Sequence, residues 1–140
     1  MVSLEESVHY VVDEPQSYLE WLYTATPEDE GSVRLGPYHR FLNVALTHEM
    51  HCLRYFREEL AANGFPSNIH HAEHCLSMLR EFTLCAADTA LERGDQFQRN
   101  YTVDRVTGEH ECMDIELFYG TLWKLWNKWV DVRDKVSESM

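Results

Sequence analysis

The chain has 140 residues, a length that suits one domain with a hydrophobic core of its own. It carries 24 acidic and 12 basic residues, and the net charge of −12 repels phosphate backbones and anionic lipid headgroups. We therefore expect neither a nucleic acid nor an anionic membrane as a partner. The amino-terminal segment lacks the basic start and the apolar stretch of a signal peptide, so we also expect no signal or membrane anchor in this chain.

Apolar residues that recur every three or four positions predict one short helix and three long ones, at residues 14–25, 38–63, 68–93 and 114–136. Asp13 is the expected cap of the short helix, with Pro15 in its first turn. Asn63-Gly64 and Gly94 are expected to end the two central helices, and Ser67 or Asn68 can cap the second of them. The pattern predicts a single all-α domain over residues 1–140, with irregular connecting loops.

The segments between the helices carry weaker signals. Residues 26–38 are expected to form an acidic turn, a short strand and a second turn at Gly36-Pro37, and residues 95–112 an irregular stretch with a hairpin turned at Thr107-Gly108. In the last helix, an apolar stripe at helical spacing is expected to pack into the core, and it consists of Leu122, Trp126 and Trp129. The alternative is that an aromatic substrate binds against Trp123 or Trp126.

The pattern His-x-x-His-Cys occurs twice in the two central helices, at a constant offset of 23 residues, as His48, His51 and Cys52 and again as His71, His74 and Cys75. Residues three and four apart lie on one face of a helix, so each copy presents two imidazoles side by side. Paired imidazoles suit zinc, copper or iron, whereas calcium and magnesium prefer oxygen ligands. A chance cluster of helix histidines is the alternative, and the repetition favours a metal site on the central helices.

The number of metal sites depends on how the two helices are aligned. In a tight antiparallel hairpin turned about residues 64–67, His51 would face Arg80 and His74 would face Arg57. The two histidine pairs would then be about 9 Å apart along the axis, too far for one tetrahedral ion with bonds near 2 Å. Regular packing thus predicts two sites, whereas a splayed crossing would merge them. Each site needs a further ligand, and the candidates are His110 as first choice, His39, His70 and Glu111.

The four cysteines, Cys52, Cys75, Cys85 and Cys112, can act as thiolate ligands or form disulfides. Cys75 cannot pair with Cys85, because ten residues of helix separate them by about 15 Å. Two pairings remain: Cys52 with Cys75 and Cys85 with Cys112, or Cys52 with Cys85 and Cys75 with Cys112. We expect disulfides, since thiolates exposed to oxygen are easily damaged. Together with the glycosylation triplet at Asn100, they favour an oxidising compartment.

Residues 31–126 resemble the fungal UstYa-like oxidases, through the stretches YHRFLNVALTHEMHCLRYFRE, EHCLSMLREFTLCAADTAL and HECMD. The resemblance implies a copper-dependent oxidase or oxygenase that tailors a fungal peptide or other secondary metabolite by oxidative cyclisation, hydroxylation, desaturation or halogenation. It implies copper ahead of zinc or iron, and a location in the secretory lumen or outside the cell. The residues matching the family's metal motifs are His48, His51, His71 and His74, with His39 in the short motif ahead of them and His110 with Cys112 in the closing one. Family members usually carry an amino-terminal membrane anchor, and we expect none in this chain.

Two other functions agree with the same residues. One is a non-catalytic helical module in which His and Cys side chains hold a structural zinc ion. The other is a metal-free binding protein braced by disulfides. The acidic surface and the many aromatic residues favour a neutral or basic, partly aromatic small molecule or peptide as the ligand. His70 is expected to be a solvated histidine, with a proton relay as the alternative, and the oligomeric state is left open.

Overall fold

The computed structural model describes residues 2–5, 9–24, 31–62, 66–89, 100, 103 and 106–138, with side chains for all of these except 2–5 and 106–108. In chain order the elements are β1 (Val2–Glu5), α1 (Pro15–Leu22), β2 (Ser32–Leu35), β3 (Arg40–Asn43), α2 (Ala45–Ala62), α3 (Ile69–Cys85), β4 (Val106–His110) and α4 (Ile115–Glu138). The described chain is mostly helical, as predicted. The all-α prediction is confirmed in part, because two small two-stranded sheets accompany the helices.

The first correction concerns the start of the first long helix. Residues 40–43 form strand β3, which pairs antiparallel with β2 so that Ser32 lies opposite Asn43 and Leu35 opposite Arg40. The predicted strand before residue 38 and the turn at Gly36-Pro37 are both confirmed, and the turn closes through the His39 N–H, which donates to the Gly36 carbonyl at 3.2 Å. The apolar residues of β3 fit a helical repeat equally well, so cross-strand pairing decides their conformation.

The second correction concerns the predicted hairpin at Thr107-Gly108. Strand β4 runs straight through these residues and pairs antiparallel with β1, so that Val2 lies opposite His110 and Leu4 opposite Gly108. The partner of this strand is therefore more than 100 positions away in the sequence. A turn signal in a few neighbouring residues cannot predict pairing with so distant a strand.

The helix ends follow the sequence signals in part. Pro15 occupies the first position of α1 as predicted, although Glu14 takes the cap position in place of Asp13. The Asn68 side chain accepts a hydrogen bond from the His71 N–H at 3.1 Å and caps α3, which confirms one of the two predicted caps. Helix α3 ends at Cys85 and not near residue 93. The predicted end signals at Asn63-Gly64 and Gly94 lie outside the described residues.

Helices α2 and α3 pack against each other, but their register differs from that of a tight hairpin. Ser67 donates to the Glu59 carboxylate from its N–H at 2.8 Å and from its hydroxyl at 2.5 Å, and these bonds lower the pKa of Glu59. The Tyr55 hydroxyl donates to the carbonyl of Asn68 at 3.0 Å. Because Ser67 is held at Glu59 and Asn68 beside Tyr55, α3 begins opposite the middle of α2.

The buried apolar side chains of the described residues are few, and they are Val33, Cys52, Ala72, Cys75 and Leu122. Helix α4 packs on strand β2. Its aromatic stripe packs inward as predicted, since Leu122 is buried and Trp126 and Trp129 are half-buried. In the part of the chain that the structure describes, no helix combines the length and the apolar character needed to cross a membrane.

Thr47 joins the start of α2 to the chain just before β2. Its hydroxyl is shared between the carbonyls of Val44, at 2.8 Å, and Gly31, at 3.1 Å, and the side chain is fully buried. Gly31 has a φ of +75°, and a Cβ atom there would lie 2.2 Å from the Cβ of Thr47. Gly36 has the same φ but open space around its Cα.

We expect Gly31→Ala to lower the free energy of unfolding by about 2–5 kcal/mol, since a left-handed alanine costs about 1–2 and a forced repacking about 1–3 kcal/mol. Gly36→Ala is the matched control, and it should lower the free energy of unfolding only by the about 1–2 kcal/mol of a left-handed alanine. Urea unfolding followed by circular dichroism measures both changes. Equal losses for the two variants would show that Thr47 does not pack on Gly31 in solution.

Candidate metal centre

Four imidazoles meet where α2 and α3 pack together. Helix α2 contributes His48 and His51, one turn apart, and α3 contributes His71 and His74. Across the helices, the ring centres of His48 and His74 are 5.5 Å apart, and those of His51 and His71 are 5.8 Å apart. Within α2, the rings of His48 and His51 are 6.3 Å apart. Three of the rings are half-buried and that of His74 is exposed, so the cluster is open to solvent on one side.

This arrangement corrects the predicted alignment of the two helices. His51 faces His71 and not Arg80, and His74 faces His48 and not Arg57. Arg57 instead donates to the Ser17 hydroxyl on α1 at 2.9 Å. The axial offset of about 9 Å between the histidine pairs is therefore wrong. The first turns of α3 lie level with the middle of α2, because Ser67 is hydrogen-bonded to Glu59 and Asn68 to Tyr55.

The ring spacing can be compared with what a metal ion requires. An ion about 2 Å from an imidazole nitrogen lies roughly 3 Å from the ring centre, so two rings on one tetrahedral ion are about 5 Å apart. The cross-helix distances of 5.5 and 5.8 Å are close to this value, and the nitrogen donors suit copper, zinc or iron. Among the described residues, no three or more His, Cys, Asp or Glu side chains already converge on one point. The residues therefore fit an ion as cross-helix pairs.

Two residues beside the cluster were missed in the sequence. The Arg54 guanidinium donates to Nδ1 of His51 at 3.4 Å and lies 3.8 Å from the Glu58 carboxylate. The Tyr55 ring centre is 4.4 Å from that of His71. Partial burial, followed by the charge of Glu59, raises the pKa of Tyr55, so its phenol is neutral near pH 7. Both follow His51 by three and four positions, a spacing that places them on the histidine face.

Cys52 and Cys75 lie between the same two helices. Both are completely buried, and their thiols are hydrogen-bonded to each other. Burial, followed by this hydrogen bond, raises the pKa of Cys52, which favours a neutral thiol over the thiolate that a metal ion needs. Cys85 and Cys112 are exposed. All four cysteines lie within the described residues and all are free, so the predicted disulfides are not seen in this structure.

The remaining candidate ligands lie elsewhere. The His39 ring is 5.4 Å from that of Trp129 on α4, and the His110 ring is hydrogen-bonded to Asp88. The His70 side chain is 91% exposed, 3.6 Å from Glu73, and Glu111 is also exposed. None of the ring contacts between described residues joins His39 or His110 to the four-histidine cluster. That either residue binds the metal stays a prediction, as does a proton relay at His70.

A cavity of about 370 Å³ lies among α1, α2 and the start of α4, lined by Tyr10, Trp21, Tyr23, Thr24, Leu46, Met50, Leu53, Ile115 and Tyr119. The Tyr119 hydroxyl donates to the carbonyl of Thr24, and burial raises the pKa of this phenol. The α2 residues of the lining lie on the opposite side of that helix from His48 and His51, at 100° per residue. Trp123 and Trp126, the predicted aromatic contacts for a substrate, do not line this cavity.

The fold and the site define a class: a mainly helical protein in which imidazole pairs from two central helices meet. The chain belongs to the UstYa family, because the family model described as "Mycotoxin biosynthesis protein UstYa" matches residues 14–119. This confirms the resemblance seen in the sequence. The matched residues include both copies of His-x-x-His-Cys.

Three curated relatives agree with this assignment. The chain is 29% identical over 101 residues to the UstYa family oxidase phomYe and 26% identical over 126 residues to phomYd, both of Diaporthe leptostromiformis, and 34% identical over 102 residues to the oxidase ustYa of Aspergillus flavus. These matches cover 65%, 72% and 66% of this chain but 33%, 42% and 45% of the relatives, so the chain spans less than half of their length. No solved structure matches.

Proposed function

We propose that this chain carries the metal-binding part of a copper-dependent oxidase or oxygenase that tailors a peptide or another secondary metabolite. The observation that carries the proposal is the meeting of four imidazoles across α2 and α3 at ring-centre distances of 5.5 and 5.8 Å. The relatives support it, because each of the three is named an oxidase.

The proposed ligands are His48 with His74 and His51 with His71, each pair taking one copper ion. The expected number of ions is two, as the sequence predicts, but each ion is bound by one histidine from α2 and one from α3. The shorter ring distances support this choice, since the two rings within α2 are 6.3 Å apart. Copper bound there would supply one-electron redox chemistry toward oxygen.

The residues around the cluster have separate roles in this proposal. Arg54 holds the His51 ring through its Nδ1 atom, so that contact has to shift if the same nitrogen is to bind an ion. Tyr55 packs against His71 and fixes the orientation of that ring. The exposed side of the cluster, at His74, leaves access for a substrate. The substrate class is a peptide or small molecule with aromatic character, as the acidic charge and the many aromatic residues of the chain favour.

We further propose that Cys52 and Cys75 form a disulfide when the protein is made in an oxidising compartment. Their buried, hydrogen-bonded thiols support this pairing over that of Cys52 with Cys85. The second bond would then join Cys85 to Cys112, and both of these cysteines are exposed. A location in the secretory lumen or outside the cell agrees with these bonds and with the exposed Asn100 of the glycosylation triplet.

The function is tested by loading the protein with copper without oxygen, adding a panel of aromatic peptides, and then admitting oxygen. We expect oxygen uptake together with products that have lost two hydrogens, with oxygen reduced to hydrogen peroxide, or, when added ascorbate supplies two electrons, products that have gained one oxygen atom. Zinc-loaded protein and the double variant His48→Ala/His74→Ala serve as controls and should give neither. Stoichiometric zinc that stabilises the fold, with no oxygen uptake by the copper form, would favour a structural zinc module and contradict the oxidase.

A further inference from the structure

A second cavity, of about 130 Å³, lies between the β2–β3 turn and helix α4, on a part of the fold that the four-histidine cluster does not use. Its polar lining is basic, and it consists of Arg34, His39 and Lys128. Apolar groups form the rest of the wall, chiefly Leu125, Trp129 and Val132. Among the described residues no Asp or Glu lines it, although the chain has twice as many acidic residues as basic ones.

The Arg34 guanidinium is held in place by aromatic rings, and no carboxylate among the described residues forms an ion pair with it. Its guanidinium carbon lies 4.6 Å from the ring centre of Phe41 and 5.2 Å from that of Trp129, so the cation packs against two aromatic rings. Its Nε atom is buried and has no hydrogen-bond partner among the described residues. A buried donor without a partner is unfavourable, so the guanidinium has hydrogen-bonding capacity that the described protein groups do not use.

Lys128, the second permanently charged group of the lining, also has no counter-ion among the described residues. Within the described residues, no carboxylate forms an ion pair with Arg34 or Lys128, whereas Arg54, Arg80 and Arg133 each have one. His39, at the edge of the cavity, has a φ of +48°, a strained conformation for a residue with a side chain. The turn thus keeps this ring against Trp129 in spite of a backbone cost.

We propose that this cavity binds a carboxylate attached to a short apolar group. The fork of the guanidinium matches the two oxygens of a carboxylate, and Lys128 adds a second positive charge. The volume corresponds to about four water molecules at roughly 30 Å³ each, which suits a carboxylate with a branched aliphatic group against Leu125 and Val132. The carboxylate can belong to a small organic acid or to the free carboxyl terminus of a peptide. The inference does not depend on a metal ion or on the proposed oxidase activity.

The test is a titration of the metal-free protein, followed through the indole N–H resonance of Trp129 by nuclear magnetic resonance at constant ionic strength. The probes are isovalerate, its neutral amide isovaleramide, a peptide with a carboxyl-terminal valine, the same peptide amidated, and inorganic phosphate. We expect saturable shifts with the two carboxylates and none with the two amides. Whichever carboxylate binds more tightly identifies the source of the group.

Variants separate the cavity from general attraction to positive charge. Lys128→Gln should weaken isovalerate binding by about threefold to tenfold, because it removes one of two charges at the site. Lys124→Gln, an exposed lysine one turn earlier on α4 that does not line the cavity, should have no effect. Arg34→Lys keeps the charge but loses the fork, and should weaken binding further than Lys128→Gln.

Three results would overturn the proposal. The first is an equal response to isovalerate and isovaleramide. The second is an equal loss of affinity in the two lysine variants, which would show attraction to charge and not a site. The third is tighter binding of phosphate than of either carboxylate. Because Lys128 is exposed, its variant keeps the test valid even if Arg34→Lys fails to fold.

Discussion

Replacing His48 by alanine should lower copper affinity at one site by about 100-fold, since structural metal sites with four protein ligands bind with about 10–16 kcal/mol, or roughly 3 kcal/mol per ligand. His74→Ala should have the same effect, and the double variant should abolish copper binding at that site while the other site keeps its affinity, because both changes remove ligands of the same ion. His48→Ala combined with His51→Ala should instead impair both sites. This pattern follows from ring-centre distances that are shorter across the helices than within α2.

The measurement is a copper titration against a competing chelator, with circular dichroism to confirm that helix content is kept. His70→Ala is the matched control, because His70 precedes His71 on α3 but its side chain is 91% exposed. If the losses of copper affinity are strongly coupled between His48→Ala and His51→Ala but not between His48→Ala and His74→Ala, the two ligands of each ion lie on the same helix. If one copper ion binds per chain and replacement of any one of the four histidines weakens its binding equally, the histidines share a single site.

Oxidised protein should have a free energy of unfolding about 3 kcal/mol higher than reduced protein, because a bond between Cys52 and Cys75 closes a loop of roughly two dozen residues. In reduced, metal-free protein the exposed Cys85 and Cys112 should react with iodoacetamide at once. Cys52 and Cys75 should react only on unfolding, because burial and their mutual hydrogen bond raise the pKa of Cys52 and keep its thiol neutral.

Denaturant midpoints with and without a reductant, together with mass spectrometry of the disulfide-linked peptides, check this expectation. Cys52→Ala should abolish the difference in stability that is due to this bond, whereas Cys85→Ala should leave it in place. Because the thiol of Cys52 keeps its proton at a pH where that of the unfolded chain loses it, the reduced protein should lose stability as the pH rises above about 9. Identical midpoints for the oxidised and reduced protein would show that the pair stays as two thiols.

Local signals in the sequence were sufficient for several features. The period of the apolar residues predicted all four helices, Pro15 and Asn68 marked two helix starts, and Gly36-Pro37 marked a turn. The offset between the two motifs placed four histidines on two helix faces, and those faces do meet. Each of these signals depends on residues within a turn or two of one another, whose geometry is fixed by backbone sterics and local hydrogen bonds.

Other features depend on partners that are distant in the sequence, and only the tertiary structure decided them. Residues 40–43 became a strand because β2 pairs with them, and β4 formed because β1 lies beside it. The histidines of α2 face those of α3 because Ser67 and Asn68 are held against Glu59 and Tyr55 of α2, contacts that no helical period reveals. The contacts of His39 with Trp129 and of His110 with Asp88 also join residues that are distant in the sequence. Periodicity fixes which face of a helix a residue occupies, whereas the alignment of one helix against another is set by contacts between them.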